Sequence, residues 1–465
     1  MTNPLTFSAL NLRPELLQRT ESMNFAHMTP VQAEALPPAL AGKDVVARAS
    51  TGSGKTAAFA LACLQGLENT QFHVQSLILC PTRELAEQVA TSFRELAKHL
   101  ANTKVVTLCG GVAIGPQIGS LQHSAHIVVG TPGRVLKHLQ KGTLHLHGLD
   151  TLVLDEADRM LDMGFADEID AILSYLPEPR QNLLFSATYP DEVAEVVAAL
   201  CPDAARIDVT ESETAPSISE YWCHAPSSRQ QSDRVEVLAS GLHRWGGKLN
   251  LVFCNTKIQC AEVSQQLGSL GCSAVALHGD MEQAERSRTL IRFANGSANV
   301  LVATDVAARG LDIDDVDAVF NFELPHQGEI YVHRIGRTAR GGKTGVALSL
   351  VSEREMSRLR SMEAERGGGP MQLWREDDGA TQTSLPEPEV YTLEISGGRK
   401  QKLRPGDILG ALTANQGLNA DAVGKIDILP MISYVAIAKT HAGTAQALIN
   451  RGKIKGRQYR ARGLG

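Results

Sequence analysis

The stretch that decides the fold is Ala47–Thr56, "ARASTGSGKT". It follows the apolar run "DVV" and leads into "AAFALACLQGL", a helix-forming segment. A strand, a glycine-rich turn and a helix in that order make a cradle for phosphate. Glycines let backbone N–H groups approach phosphate oxygens, and the helix N-terminus adds its positive end. On this reading Ser50, Thr51, Gly52, Ser53 and Gly54 wrap the phosphates, Lys55 reaches the outer ones, and Thr56 ligates a divalent cation. The strict pattern asks for glycine at the first position, where this chain has Ala49. The loop alone therefore leaves a tight turn without phosphate open.

The surroundings carry the same message. From Val45 to about Ile207, short apolar runs ("SLILC", "KVVTLC", "HIVVG", "TLVLD", "NLLFSAT") alternate with helical patterns such as "RELAEQVATSFRELAKHLA". That alternation predicts a parallel sheet covered by helices. It resumes after the polar 208–217 with "LNLVFCN", "CSAVALHG", "ANVLVATD", "DAVFNFEL" and "GVALSLVS". The expected plan is an α/β domain over 1–207, a linker at 208–217, and a second α/β domain over 218–366. A connector rich in Gly, Pro and acid follows at 367–389, and a small domain spans 390–465. The last segment reads strand, helix, strand, strand, helix, strand, the order of a ferredoxin-like α+β sandwich.

"TLVLDEAD" (151–158) bears on the phosphate reading. An apolar strand ends in adjacent acids. Asp155 at the strand end suits a Mg²⁺ ion, and Glu156 suits orienting and deprotonating a water.

Composition bounds the rest. Hydrophobic residues make up 43% and charged ones 21%, ordinary for domains with proper cores. The eight cysteines form no C-x-x-C pair and read as reduced core thiols of a cytosolic protein. The first residues lack the pattern of a secretory leader, and no apolar run reaches membrane-spanning length. Charge is uneven. The net value is -6, yet 391–465 holds twelve Lys/Arg against four Asp/Glu. A basic segment on an acidic chain suggests a polyanionic partner.

With these residues in view, the chain resembles the DEAD-box RNA helicases, which implies two RecA-like parallel-sheet domains, ATP and Mg²⁺ as cofactors, and RNA as partner. In that family Ala at position 49 is usual. Phe7 and "NFAHMTPVQ" (24–32) resemble the adenine-recognising segment, which implies that Phe7 and Gln32 read the base. "PTRELA" (81–86, with Arg83), Gly110, Gly111 and "TPGR" (Thr131, Pro132, Gly133, Arg134) resemble elements that grip RNA. "SAT" (186–188) resembles the segment linking ATP state to RNA opening.

The second domain continues the series with "LVFCN" (251–255) and "HGDMEQAER", which holds Gln283 and Arg286. The resemblance of "ATDVAARGLDI" implies RNA contacts for Thr304, Asp305 and Arg309 and a ribose contact for Asp312. "HRIGRTAR" places Arg337 and Arg340 where the family has arginine fingers, so Lys55, Asp155, Glu156, Arg337 and Arg340 are the expected catalytic set.

The tail resembles that of the bacterial DbpA subfamily in "RPGDILGAL", "VGKIDI" and "SYVAI". This implies recognition of a 23S ribosomal RNA hairpin during assembly of the large subunit. Within "MISYVAIA", Ile432, Tyr434 and Ile437 take the usual aromatic positions of an RNA-recognition motif, and only Tyr434 is aromatic. Stacking is therefore depleted. The expected contacts are Arg399, Lys400, Lys402, Lys425, Tyr434, Lys453, Lys455 and Arg457. A monomer is expected. A general cold-shock or mRNA-remodelling helicase and an ATP-gated RNA clamp stand as other readings.

Overall fold

A computed structural model of the protein describes residues 5–50, 52–123, 125–209, 217–227, 231–308, 316–339, 343–366, 369–375, 387–414 and 417–464. The chain divides into two compact units, one holding the described residues from 5 to 209 and the other those from 217 to 464.

The first unit is built on seven parallel strands: β1 (Val45–Arg48), β2 (Ser76–Leu79), β3 (Val105–Leu108), β4 (Ile127–Gly130), β5 (Thr151–Asp155), β6 (Gln181–Ser186) and β7 (Ala205–Asp208). Their order is β3-β4-β2-β5-β6-β1-β7. The runs are apolar at successive positions because helices cover both faces. Val45 and Ala47 of β1 enter one core, while Val46 between them enters the other. Helix Arg83–Leu96 shows how one covering helix is specified. Leu85, Ala86, Val89, Ala90, Phe93 and Leu96 form its buried stripe, and the Thr82 hydroxyl accepts from the Leu85 N–H at its start. Edge strand β7 escapes the sequence reading because only Ile207 within it is buried.

The strand order places the chemistry. In a parallel sheet every strand runs into its loop at the same edge. β5, β6 and β1 are consecutive neighbours, so the loops after Asp155, Ser186 and Arg48 lie side by side. β2, β4 and β3 continue that edge and bring the loops after Leu79, Gly130 and Leu108 next to one another.

The second unit carries another seven parallel strands: β8 (Ser217–His224), β9 (Asn250–Cys254), β10 (Ala274–Leu277), β11 (Val300–Thr304), β12 (Ala318–Asn321), β13 (Thr344–Val351) and β14 (Gln372–Leu373). They are ordered β10-β11-β9-β12-β13-β8-β14. Here the structure departs from the expected connector at 367–389. β14 pairs with β8, and Trp374 is buried against Trp245, which stacks on Tyr221. The apolar Met371 and Trp374 pull this piece onto the sheet.

The tail has four antiparallel strands, β15 (Val390–Ile395), β16 (Val423–Ile428), β17 (Ser433–Ala438) and β18 (Ala461–Leu464), ordered β16-β17-β15-β18. Helices Pro405–Thr413 and Ala442–Arg451 complete the expected β-α-β-β-α-β order. Leu393, Ile395, Val435 and Ile437 face the helices' Ile408, Leu412 and Ile449 in one core. The opposite face is also buried. Thr392, Glu394, Tyr434 and Ala436 are 0%, 7%, 2% and 2% exposed. They meet helix Gln283–Ala294 and the turn after it. Arg288 Nε donates to Glu394 at 3.1 Å, and Asn295 Nδ2 donates to Thr392 Oγ1 at 2.8 Å. The Ser297 and Thr392 hydroxyls bond at 2.6 Å. The tail and the second sheet thus form one compact unit.

All eight cysteines are buried and unpaired, and burial pushes the Cys63 thiol up to about 12. Among the described residues no helix is long and apolar enough to cross a membrane.

Thr392→Val keeps the side chain's shape and removes the hydroxyl that Asn295 and Ser297 share. Leaving buried polar groups unpaired costs about 1–3 kcal/mol. Denaturant unfolding with a probe on the tail is expected to show an earlier transition by that amount. An unchanged midpoint would mean the contact adds no stability.

Candidate nucleotide and nucleic-acid sites

The loop from β1 to helix Lys55–Gly66 turns on two left-handed glycines, Gly52 (φ 83°) and Gly54 (φ 96°). A Cβ at Gly54 would lie 2.5 Å from Gln32 Nε2. That closeness has a purpose: Gln32 Nε2 donates to the Gly54 carbonyl at 3.1 Å, and its oxygen accepts from the Thr29 N–H at 3.0 Å. The expected adenine reader therefore also braces the loop. Ser53 Oγ donates to Ser50 O at 2.7 Å. Lys55 is buried, and its ammonium donates to Ala49 O at 2.8 Å. Thr56 follows in the first turn of the helix, and Thr51 lies outside the described residues. Phe7 departs from expectation. The residue is only 3% exposed, packed in the core and against Phe25, so protein covers the side chain expected to read the base.

Asp155 ends β5 and is 3% exposed. Burial, and then the neighbouring Glu156 charge, raise its pKa to about 7, against the pull of Lys55 and Arg159. Glu156 adopts the left-handed region at φ 55°, which costs a non-glycine residue roughly 1–2 kcal/mol. Its carboxylate accepts from the Arg159 guanidinium one turn later, and both side chains are buried. Asp158, which the sequence reading passed over, is the most heavily bonded acid of the four-residue run. It accepts from the Ala187 and Thr188 N–H groups and from the Thr188 hydroxyl at 2.7 Å. Burial alone would raise its pKa, but these bonds outweigh it and hold the carboxyl below its ordinary value. The loop after β6 is thereby tied to the loop after β5.

Further along the same edge, Arg134 is half-buried and its guanidinium is engaged within the protein. It donates to Gln117 Oε1 and to the Val112 carbonyl, both at 2.9 Å. Gln117 in turn donates to Cys109 O and meets His138 Nε2. This knot joins Thr131–Arg134 to the Gly110–Gly111 turn, where Gly111 is left-handed. Gly111 and Gly133 are exposed, while Pro132 is buried. Arg83 carries a buried Nη1 with no hydrogen-bond partner among the described residues.

In the second unit Arg334 organises the corresponding edge. It is 1% exposed and grips Asp305 with two nitrogens at 2.6 and 2.7 Å. It also donates to Asn255 Oδ1, Asn321 Oδ1 and Glu323 O. Asp305, expected to contact RNA, is instead the counter-charge of this arginine, a better use of a carboxylate than facing phosphates. Thr304 is buried at the end of β11. Arg286 donates to Ala307 O at 2.9 Å, and Gln283 opens the same helix. Arg337 is buried. Arg309, Asp312 and Arg340 lie outside the described residues.

In the tail Tyr434 is not available to a base. It faces the second sheet's helix, where its hydroxyl environment includes Arg288 and Glu394. The basic residues gather elsewhere. Ser396 and Arg460 exchange hydrogen bonds at 2.9 Å, and Lys455 Nζ donates to Lys402 O. The Tyr459 ring packs so closely on Gly397 that a Cβ there would be 2.3 Å away. These contacts join the turn at 397–404 to the loop at 452–460. They bring Arg399, Lys400, Lys402, Lys453, Lys455 and Arg457 onto one exposed surface, with Arg404 and Arg460 beside them. Lys455 also pairs with Asp407, and Lys425 lies apart on β16, 3.8 Å from Asp427.

Residues 29–196 match the family model of the DEAD/DEAH box helicase, 233–342 the helicase conserved C-terminal domain, and 392–462 the DbpA RNA binding domain. The chain belongs to the DEAD-box RNA helicase family. It is 48% identical over 460 residues to the ATP-dependent RNA helicase DbpA of Escherichia coli K12, covering 98% of this chain and 99% of that one. The DEAD-box ATP-dependent RNA helicase CshA of Bacillus subtilis is 40% identical over 77% of this chain and 72% of its own length. Among solved structures, S. cerevisiae Dbp5 bound to RNA and ADP BeF3 matches with a TM-score of 0.72 at 32% identity, covering 80% of this chain and 96% of that one. The chain is thus an ATP-dependent RNA helicase with an RNA-binding tail domain.

The raised pKa of Asp155 has a measurable sign. The folded protein keeps a proton that the unfolded chain, titrating near 3.8, releases. Stability therefore falls as pH rises towards about 7. Asp155→Asn removes that proton equilibrium. Thermal melts of both proteins without nucleotide, from about pH 5 to about pH 8, are expected to show wild type losing ground to the variant as pH rises. Parallel curves would show that Asp155 ionises normally.

Proposed function

We propose that this helicase remodels 23S ribosomal RNA in precursors of the large ribosomal subunit, directed there by residues 390–465. The observation that carries the reading is the exposed basic surface formed by 397–404 and 452–460, on a tail whose sheet face is already covered. The similarity to DbpA over nearly the whole chain, tail included, supports the choice of target. The same resemblance carries the expectation of a cytoplasmic monomer.

In this reading the first unit binds ATP through the loop at 49–54, with Lys55 on the outer phosphates. Asp155 and Thr56 suit Mg²⁺: an acid whose pKa is raised by burial and then by the Glu156 charge gains from a divalent cation beside it. When bound, the ion would neutralise phosphate charge. Glu156 takes a proton from the attacking water. Asp158 reports the state of that site to Thr188. RNA lies along the other half of the edge, held through its backbone by the Gly110–Gly111 and Thr131–Arg134 turns. Backbone contacts carry no sequence information, so selectivity falls to the tail.

Deleting the tail would uncover Arg288, Asn295 and Ser297 on the second sheet, so charge removal is the cleaner test. Lys453→Gln with Arg457→Gln is expected to raise the half-maximal concentration of a 23S hairpin fragment for ATPase stimulation. The salt dependence should fall by roughly 0.7 of log–log slope per lost phosphate contact. If either residue reads a base, the gap between the hairpin and a scrambled RNA should narrow as well. Equal effects on both RNAs would assign selectivity elsewhere.

A further inference from the structure

Arg159 is absorbed by none of the roles above, yet it is one of few buried arginines. Its side chain and that of Glu156 are 10% and 8% exposed, and the guanidinium donates to Glu156 Oε2. The pair spans a single turn. Glu156 is the left-handed residue that starts helix Ala157–Asp162, and Arg159 stands three positions on. The Arg159 N–H also donates to Asp158 Oδ1 at 3.0 Å, so the helix start is fastened from both sides. Among the described residues, the hydrogen bond to this carboxylate is the one from Arg159, and it goes to Oε2. One carboxylate oxygen is anchored and the other is left over.

We propose that Arg159 is a positioning residue for hydrolysis: it anchors Oε2 so that Oε1 is presented to the attacking water. In the step served, the water oxygen bonds to the γ-phosphorus as the bond to the bridging oxygen breaks. One water proton passes to Oε1, and ADP leaves with the bridging oxygen. A carboxylate on a flexible stem has several rotamers, and a second oxygen fixed by a charge-assisted bond removes most of them. The arrangement is that of a base oriented by a third group, here a guanidinium held by its own helix. The inference rests on the reading of Glu156 as the base.

The test uses the full chain with saturating RNA. Arg159→Met is expected to lower kcat by about tenfold to a hundredfold, the range of a misplaced catalytic group. KM for ATP should move less than about twofold, since the ground-state contacts to ATP are elsewhere. Arg159→Lys keeps the charge and is expected to recover part of kcat. Binding of a fluorescent ADP analogue and the melting temperature without nucleotide control for folding, and should match wild type in the lysine variant. Glu156→Gln is run alongside. Wild-type turnover in Glu156→Gln would overturn the base itself. An inactive Glu156→Gln with wild-type kcat in Arg159→Met would overturn only the positioning role. So would a KM rise that accounts for the whole defect, or a lysine variant that folds and binds ADP normally yet is no faster than the methionine one. If Arg159→Met fails to fold, a lysine variant with wild-type melting and unchanged kcat/KM overturns the role, and one with reduced kcat alone supports it.

Discussion

The hydrogen-bonded order of one parallel sheet governs the first unit. Because β1, β6 and β5 are neighbours, three stretches far apart in sequence emerge side by side: the phosphate loop, the Ser186–Thr188 turn and the acids from Asp155 to Asp158. No long-range attraction between those residues is needed, since backbone pairing sets their positions. The same edge continues into β2, β4 and β3, whose loops carry Arg83, Arg134 and the Gly110–Gly111 turn. In the proposed reading, a single sheet thus holds nucleotide chemistry on one half of its edge and nucleic-acid contacts on the other. Asp158 stands at the seam, accepting two hydrogen bonds from Thr188 and one from the Ala187 N–H.

Charged groups inside the protein follow a consistent rule. Arg334 gathers Asp305, Asn255 and Asn321; Arg159 holds Glu156; Arg288 and Arg462 share Glu394. Each of these carboxylates has a guanidinium partner, as desolvation demands, and Asp155, whose pKa burial raises, is the exception. The consequence for function is selective. Charged residues inside the motifs, such as Asp158, Arg159, Asp305 and Arg334, brace their neighbours. The outward-facing charge is concentrated on the tail's loops, where the acidic chain turns basic.

Much of this was legible in the sequence. Apolar runs gave the central strands of both large sheets, and the tail's element order was read correctly from its alternation. The loop at 49–56 reads as a phosphate cradle because glycine, lysine and threonine are required together in one. What stayed hidden was whatever depends on packing between distant segments. β7 and β14 are edge strands with few buried positions, so their pattern is faint. Phe7 and Tyr434 look like surface aromatics in sequence, but the core in one case and helix Gln283–Ala294 in the other cover them. Arg134 and Asp305 fit an RNA-contact pattern, while their side chains are engaged within the protein. The signal that could have flagged Asp158 and Arg334 was their place inside dense motifs, yet only the fold shows what each one bonds.

The division of labour along the edge can be read directly by hydrogen–deuterium exchange on the full chain, alone, with ATP analogue and Mg²⁺, with RNA, and with both. The account predicts that nucleotide slows exchange at 49–56 and around Glu156. RNA should slow it at 110–112, 131–134 and the tail loops 397–404 and 452–460. Protection by RNA confined to the strands Val390–Ile395 and Ser433–Ala438, with those loops unchanged, would contradict it.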